Sequence, residues 1–456
     1  MKWGVLRGCA GLIATMLLAA QSAPALAYPV DGYAYTGIRR LDYLAGVEAG
    51  TIPGRKLQAG QYLRTEQVQP GWHTNEGVLL PDVDADFAAA LTRMLKESGY
   101  GSYSVALLDL SDPAAAKYAA YNDDVQANVG SVGKLLVVLA LFQTLADLYP
   151  DDIAARERVL REARVTADRF SEYDHHTVTF FDPVTKVRKS RSIRAGDEAS
   201  LWEYLDWMLS ASSNSAAGMV QKELLALKHF GTAYPAPKAD YDAWFASMKP
   251  KPLGDRYLEI MNDVVLRNGL DPGQFRQGSF FTAGGKQKAV GTSSFATTEQ
   301  LVRYLYRLEA GTLIDAFSSR EIKRLLYMTQ RRIRYASHPV LNDSAVYFKS
   351  GSFYQCKVKG GCGKYKGDKT NRLASVAIVE SPVGEGRLHY LVAIHSNVLG
   401  VNSAVAHQSL ALRVHRLIES RHPLPVQPAP AVPDNAFPSV PVDDPDDHSS
   451  NTSEPQ

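Results

Sequence analysis

Apolar and polar residues near the start of this chain follow patterns that predict one helix and two strands. A helix with apolar positions at three- and four-residue spacing is predicted between a cap at Asp82 or Asp84 and a stop at Gly99. Two strands follow, over residues 103–110 and 117–121, because β-branched and aromatic residues dominate both runs and turn signals separate them. The main body of the chain therefore begins with a helix and a strand pair.

The middle and the end of the chain show different patterns. Residues 135–142 are apolar on every face, which predicts a buried helix. The predicted helices of the middle part cover 154–163, 201–209, 215–227 and 257–266, with a hairpin or irregular excursion over 175–193. After Gly285 the predictions are helices over 297–308, 319–327 and 404–418 and strands over 344–353, 373–380 and 389–396. Strands thus lie at both ends, with helices between them.

This order of elements predicts an α/β (α+β) fold in which a sheet is built from both ends of the chain and an all-α lobe is inserted. The α/β lobe would comprise residues 81–150 and 285–422, and the helical lobe residues 151–284. We expect the active site in the cleft between the lobes. Residues 28–80 are Tyr- and Gly-rich with poor periodicity, which indicates an extension that packs on the main body. Residues 423–456 are rich in Pro, Asp and Ser, and we expect them to be disordered.

The first 27 residues have the features of a secretory signal peptide. A basic start precedes a short apolar run, and the small-x-small stretch 25–27 offers a cleavage site. The apolar run is too short to span a bilayer, so no transmembrane segment is predicted. Removal of residues 1–27 leaves 48 basic and 48 acidic residues, a balance that gives no argument for nucleic acid as a partner. A periplasmic or secreted protein is therefore expected.

Two cysteines, Cys356 and Cys362, remain after the predicted cleavage. In an oxidising compartment such a close pair is typical of a disulfide that closes a hairpin tip. A zinc site is the weaker alternative, because two cysteines without a second ligand pair do not complete one. No metal and no cofactor are expected.

The first candidate for chemistry is the S-x-x-K stretch of Ser131 and Lys134, which opens the apolar helix. A serine and a lysine three residues apart lie on one face of a helix. At the helix start the positive end of the dipole would stabilise a developing oxyanion. The lysine amine could then take the proton of the serine hydroxyl.

Two further stretches add matching chemistry. Ser212, Ser213 and Asn214 lie in a loop between two predicted helices, where such residues are usually caps. The stretch from Lys349 to Ser352 lies near the end of a predicted strand. Neither is specific alone, and the order of the three stretches along the chain carries the signal.

The order S-x-x-K, S-x-N, K-[ST]-G resembles the penicillin-recognising serine hydrolases, which include class A β-lactamases and the D,D-peptidases, or penicillin-binding proteins. The strand pair before Ser131 and the Ala-rich helix after Asn214 resemble class A most, and the resemblance covers residues 82–420. It implies the β-lactamase/transpeptidase-like fold, with an antiparallel sheet flanked by helices plus the all-α lobe. It also implies a β-lactam or a D-Ala-D-Ala-like peptide of peptidoglycan as substrate.

The resemblance implies a role for each matching residue. Ser131 would attack a carbonyl carbon to form an acyl-enzyme, with Lys134 as its base. Ser212 would relay a proton to the leaving nitrogen, and Asn214 would hold Lys134 and the amide side chain of the substrate. The remaining roles belong to the strand: Lys349 supplies positive charge near Ser212, Ser350 binds the substrate carboxylate, Gly351 lets the substrate lie against the strand edge, and the N–H of Ser352 joins that of Ser131 in the oxyanion hole.

The match to class A is incomplete. No E-x-x-L-N stretch supplies a deacylating glutamate. Glu259 is the substitute candidate, and the alternative interpretation is that it lies on a solvated helix face. Ser213 stands where most class A enzymes have Asp. Arg372 is the candidate partner of the substrate carboxylate, whereas the run of Arg331, Arg332 and Arg334 is interpreted as a solvated helix end. Asp174, His175 and His176 are residue types that bind metals, but no third ligand at helical spacing supports a site, and surface histidines are the preferred interpretation.

Two hypotheses remain. The first is a serine hydrolase of β-lactamase type, either a true β-lactamase or a D,D-peptidase of peptidoglycan. The second is a penicillin-binding sensor or interaction module that stays acylated or does no chemistry. The deacylation step separates them.

Overall fold

The computed structural model describes residues 31–72, 78–329 and 332–424. The predicted signal peptide, Arg331 and nearly all of the predicted tail lie outside the described residues. The eleven strands are β1 Ser104–Asp109, β2 Lys117–Tyr121, β3 Arg164–Thr166, β4 Val178–Phe181, β5 Arg188–Arg191, β6 Glu198–Ser200, β7 Phe275–Arg276, β8 Phe295–Ala296, β9 Ala345–Gln355, β10 Thr370–Ser381 and β11 Leu388–Asn397, counted over the described residues.

The helices of these same described segments fall in three groups. Those before the first strand are α1 Gly32–Thr36, α2 Arg39–Glu48 and α3 Ala85–Glu97. Those of the central part are α4 Lys134–Leu148, α5 Ile153–Glu162, α6 Leu201–Leu209, α7 Asn214–Phe230, α8 Lys238–Ser247, α9 Pro250–Arg267 and α10 Ala283–Lys288. The last are α11 Thr298–Glu309, α12 Ala316–Tyr327 and α13 Ser403–Arg421.

The main sheet has five antiparallel strands in the order β2-β1-β11-β10-β9. Strands from both ends of the chain meet where β1 pairs with β11, with Ser104 opposite His395. One face of the sheet packs on α3 and α13, and the other packs on α11 and α12. Strand β9 is an edge strand, so half of its backbone groups are free of sheet pairing. The predicted antiparallel sheet flanked by helices is confirmed.

Helix α4 forms the centre of the molecule. Its first twelve residues are all buried, because the helix packs on α6, α7, α9 and α12. By length and apolar content, the stretch Gly130–Leu148 is a candidate membrane span, but 78% of it is buried inside the protein. Burial of every face explains why this core helix is apolar all round.

The N-terminal extension, residues 31–72, packs on the main body through buried charges. The guanidinium of Arg40 donates to both carboxylate oxygens of Asp206 on α6, at 2.5 and 2.6 Å, and both side chains are buried. Further along, the ammonium of Lys323 donates to the carbonyl of Gln69 at 2.7 Å and to Glu309 at 2.6 Å. These contacts fix both ends of the extension against the lobes.

Most predicted elements are confirmed, and the differences are local. Asp84 caps α3 by accepting from the N–H of Phe87, which decides between the two predicted caps. The excursion over 175–193 is the β4–β5 hairpin. Helices α1, α2, α8 and α10 and the short β3–β6 and β7–β8 pairs were not predicted, because these elements are short or show weak apolar spacing. Cys356 and Cys362 form the predicted disulfide.

Candidate active site

Ser131 lies in a 3-10 turn, Gly130–Gly133, that runs directly into α4, and Lys134 is the first residue of that helix. The ammonium nitrogen Nζ of Lys134 donates to the hydroxyl Oγ of Ser131 at 2.8 Å. It also donates to the carbonyl of Ser212 and to Oδ1 of Asn214, both at 2.7 Å. The structure therefore brings four of the predicted site residues into direct contact.

Burial changes the proton affinity of Lys134. The side chain is fully buried, and the loss of hydration lowers the pKa of its amine to about 7, although the carboxylate of Asp174 opposes this by raising it. The ring of Phe281 lies 4.7 Å from Nζ and forms part of the apolar surround. A large part of the Lys134 population is thus neutral near pH 7 and able to accept a proton.

Ser212 is held in a backbone conformation that few residues adopt. Its φ is +60°, in the left-handed region that costs free energy for any residue with a side chain. The ammonium of Lys349 donates to Oγ of Ser212 at 2.8 Å and to the carbonyl of Ser350 at 3.0 Å. Burial and the positive charges of Lys134 and Arg334 lower the pKa of Lys349 well below its usual value.

Asp174 was not predicted as a site residue, yet its carboxylate organises the S-x-N stretch. Its Oδ2 accepts hydrogen bonds from the N–H groups of Asn214 and Ser215, at 2.7 and 2.9 Å, and from the hydroxyl of Ser213 at 3.0 Å. Burial opposes ionisation, but these bonds and the one to His176 hold the pKa of Asp174 below its usual range. A carboxylate from another loop thus caps α7 beside Ser213, the position that is Asp in most class A enzymes.

Glycine at position 351 permits a close approach between β9 and the Ser131 turn. A Cβ added to Gly351 would lie 2.1 Å from the carbonyl of Val129 and 2.4 Å from the nitrogen of Ser131. Gly130, with a φ of +55°, faces the nitrogen of Ser352. The N–H groups of Ser131 and Ser352 therefore lie on neighbouring backbone segments, as an oxyanion hole requires.

Arg334, not Arg372, contacts the serines of β9. Its two terminal nitrogens donate to Oγ of Ser350 at 2.8 Å and to Oγ of Ser352 at 2.9 Å. Arg372 lies on the next strand opposite Phe353, half-exposed, with no described hydrogen bond to either serine. The predicted solvated helix end is also wrong for Arg332, which donates to three backbone carbonyls. An apolar spacing pattern does not reveal an arginine held by backbone carbonyls and hydroxyls.

Glu259 is not part of the site. It lies on an exposed face of α9, as the alternative interpretation held. In the loop after α9, Gln277 is buried against the S-x-x-K turn, with its Oε1 2.1 Å from where a Cβ on Gly133 would stand. Within the described residues, no carboxylate is hydrogen-bonded to Lys134. Gln277 and Phe281 lie beside Gly133, the residue that precedes it.

Among the residues that the structure describes, two groups have donor atoms close enough for a metal ion. The first is Asp174, His175 and His176. His175 is exposed, as expected of a surface histidine. His176 is only partly exposed, and its Nδ1 is hydrogen-bonded to Asp174 at 2.6 Å. The second is Glu309, Glu380 and His389, but the ammonium of Lys323 is hydrogen-bonded to both glutamates. Hydrogen bonding within the protein already engages the carboxylates of both groups.

Comparison with known proteins adds the family. The sequence profile of the Beta-lactamase enzyme family matches residues 86–388, more than half of the chain. A β-lactamase from Sphaerobacter thermophilus is 14% identical with a TM-score of 0.47, over 75% of this chain and 98% of that chain. The structure titled PBP-A is 12% identical with a TM-score of 0.45, over 75% of this chain and all of that chain. No curated protein sequence matches significantly. On the profile match, the chain belongs to the β-lactamase enzyme family, within the penicillin-recognising serine hydrolases.

Proposed function

We propose that this protein is a serine hydrolase that forms an acyl-enzyme at Ser131 with a β-lactam or a D-Ala-D-Ala-like peptide. The observation that carries the proposal is the 2.8 Å hydrogen bond between Lys134 Nζ and Ser131 Oγ, made by an amine whose pKa is lowered to about 7. A nucleophile in contact with a base whose pKa lies near the working pH is the arrangement that acyl transfer requires.

Acylation follows from the contacts of the site. Neutral Lys134 accepts the proton of Ser131 as its Oγ attacks the carbonyl carbon, and the oxyanion that forms meets the two backbone N–H groups. Ser212 then passes its own proton to the leaving nitrogen and takes in exchange the proton held by Lys134, which returns to its neutral form. The Nζ of Lys349, 2.8 Å from Oγ of Ser212, stabilises the serine oxygen during this exchange. The C–N bond breaks, the amine leaves, and the acyl group stays on Ser131.

The serines of β9 suit recognition of the substrate carboxylate. Arg334 places its guanidinium behind the hydroxyls of Ser350 and Ser352. A carboxylate at this strand edge would accept from a hydroxyl that itself lies against a positive charge, which strengthens the bond. In this proposal Arg334 takes the role that the sequence assigned to Arg372.

The surroundings of Lys134 support slow deacylation. A deacylating water needs a base beside the ester, and the side chains recorded beside Gly133 in the S-x-x-K turn are the amide of Gln277 and the ring of Phe281. An acyl group whose leaving amine cannot return, as after opening of a β-lactam, would therefore persist. This observation favours the D,D-peptidase over an efficient β-lactamase, with a penicillin-binding sensor as the limiting case of no turnover.

We also propose that the protein acts in the periplasm or outside the cell. The signal-like segment 1–27 and the Cys356–Cys362 disulfide support this location, because structural disulfides persist in oxidising compartments. The neutral charge balance supports a small-molecule substrate over nucleic acid as a partner.

Labelling with a fluorescent penicillin tests the proposal. We expect one covalent adduct per chain, lost in Ser131→Ala and kept in Ser102→Ala, an exposed serine outside the site. Intact mass over several hours measures how long the adduct lasts, and a chromogenic cephalosporin measures turnover. A folded protein that gains no adduct from either compound would refute the acyl-enzyme. Rapid turnover would assign a β-lactamase instead of a peptidase.

A further inference from the structure

A cavity of about 630 Å³ opens beside the catalytic serines, and the N-terminal extension forms one of its walls. Ser212, Lys349 and Ser350 of the proposed site are among its lining residues. Residues 55–58 of the extension and Arg188 of the β4–β5 hairpin also line it. The cavity is therefore continuous with the proposed site, and part of its lining comes from a segment outside the matched family region.

The lining of this cavity is cationic. It includes Arg55, Lys56, Arg188, Arg332 and Lys349, and no aspartate or glutamate is among its described lining residues. Arg332 and Lys349 are engaged with backbone carbonyls and Ser212, as described above. The side chains of Arg55, Lys56 and Arg188 are exposed, and none of the described ion pairs includes them. Three cations are thus available to a ligand in the cavity.

Two acidic residues of the extension have partners other than these cations. The carboxylate of Asp42 is paired with Lys186 at 2.8 Å. The carboxylate of Glu48 accepts from the hydroxyl of Tyr62 at 2.6 Å and from the N–H of Leu57 at 2.7 Å. Neither carboxylate forms a described ion pair with Arg55, Lys56 or Arg188.

The wall is fixed in place. The N–H of Gly60 donates to the carbonyl of Asn342 at 2.7 Å, and its carbonyl accepts from Tyr327 at 3.0 Å. A Cβ at Gly60 would lie 1.9 Å from the carbonyl of Ser344, so this contact requires glycine. The guanidinium of Arg188 stacks on the ring of Tyr43, in helix α2 of the extension, at 4.8 Å. The extension is thus anchored to the body, and Arg188 to the extension, before a ligand arrives.

We propose, on the basis of the function given above, that this cavity binds the leaving amine of the substrate and selects one that is extended and anionic. Ser212 donates the proton to the leaving nitrogen, so the group attached to that nitrogen lies on the side of Ser212. The C–N bond breaks, the protonated amine leaves through the cavity, and the acyl group remains on Oγ of Ser131. The three free cations bind a carboxylate that the leaving residue carries beyond its own α-carboxylate.

The volume of the cavity supports an extended leaving group. Pockets of about 300–1,000 Å³ take ligands of drug size, whereas a single D-Ala would fill a small part of this one. The natural substrate in this proposal is a peptide branch with an acidic amine component, not a simple D-Ala terminus.

Matched substrates test the selection. All share one acyl part, and the leaving residue is D-Ala, D-Lys with a succinyl cap on its side-chain amine, or D-Lys with a neutral succinamyl cap of the same shape. We expect kcat/KM about tenfold higher for the succinyl than for the succinamyl substrate, and a smaller ratio at high salt because exposed charges are screened. The triple variant Arg55→Ala/Lys56→Ala/Arg188→Ala should lose the preference, and Lys189→Ala, on the same hairpin but outside the cavity lining, should keep it.

Direct binding separates this proposal from the proposed function. In Ser131→Ala, calorimetry should give a Kd about tenfold lower for the succinyl substrate than for its neutral partner, whether or not the wild type is catalytic. Equal Kd values for the two caps would overturn the leaving-group site. Absence of penicillin adducts in the wild type, with the difference in Kd intact, would overturn the acyl-enzyme alone. Circular dichroism checks the fold of each variant, and the salt dependence in the wild type needs no variant.

Discussion

The pH dependence of acylation offers the sharpest test of the proposed base. Lys134 accepts a proton only when its amine is neutral, and burial lowers the pKa of that amine to about 7. The rate of penicillin acylation should therefore rise about tenfold per pH unit below this value and level off above it. The direction follows from the base: protonated Lys134 predominates at low pH and cannot take the proton of Ser131.

The perturbation that tests the cause is Asp174→Asn, which removes the carboxylate that raises the pKa of Lys134. Asp174 and Lys134 are joined through Asn214, whose N–H donates to the carboxylate and whose Oδ1 accepts from the ammonium. Two charges on the order of 7 Å apart interact by about 2 kcal/mol at an effective dielectric constant of about 20, which is roughly 1.5 pKa units. Loss of this attraction disfavours the protonated amine, so the midpoint should move to lower pH by about one unit.

Stopped-flow measurement of the second-order acylation rate from pH 5 to pH 9 gives the midpoint for each protein. Glu259→Gln is the matched control, because it removes one carboxylate from an exposed face of α9 and should leave the midpoint where it is. A midpoint that stays fixed or rises in a folded Asp174→Asn protein would refute the electrostatic link. A wild-type rate that is flat across this range would refute Lys134 as the base.

Three further predictions concern recognition, deacylation and packing. Arg334→Ala should lower kcat/KM for a carboxylate-bearing substrate by about 10- to 100-fold, which corresponds to the loss of a charge-assisted hydrogen bond. Arg372→Ala should change kcat/KM by less than about threefold, and the reverse ranking would contradict the assignment. Gln277→Glu, which places a carboxylate beside the Ser131 turn, should shorten the lifetime of the penicillin adduct by about tenfold or more in a mass time course, and an unchanged lifetime would count against this position for a base. Arg40→Ala should lower the free energy of unfolding, measured in urea, by about 3–5 kcal/mol, because it leaves the Asp206 carboxylate buried and unpaired. Replacing both partners by apolar residues should recover most of that loss. A loss for Arg40→Ala of no more than about 0.5 kcal/mol would show that this pair does not hold the extension.

The sequence predicts the parts of the site that depend on short-range order. Ser131 and Lys134 are neighbours on one helical turn, so their contact follows from spacing alone. Ser212, Asn214 and Lys349 are distant in sequence, and only the motif order indicates that they meet. Their convergence depends on the packing of α7 and β9 around the start of α4.

The residues that the sequence does not reveal act through tertiary contacts. Asp174 lies in an irregular segment, and nothing in its neighbours predicts that its carboxylate accepts the N–H groups at the start of α7. Arg334 belongs to a run of basic residues that is typical of a solvated surface, yet it is half-buried and hydrogen-bonded to two serines of β9. The extension shows weak periodicity because its helices are short and buried polar contacts, such as the Arg40–Asp206 pair, replace an apolar face.

The pairing of β1 with β11 has a consequence for the folding of the chain during its synthesis. Ser111, just after β1, is hydrogen-bonded to the backbone of His389, 278 residues later in the chain. Ribosomes add about 5–20 residues per second, so the partner of β1 emerges on the order of 15–60 s after β1 itself. During this interval β1 has its hairpin neighbour β2 but lacks the strand that joins it to β10 and β9. The five-stranded sheet is therefore completed only when nearly the whole chain has been synthesised.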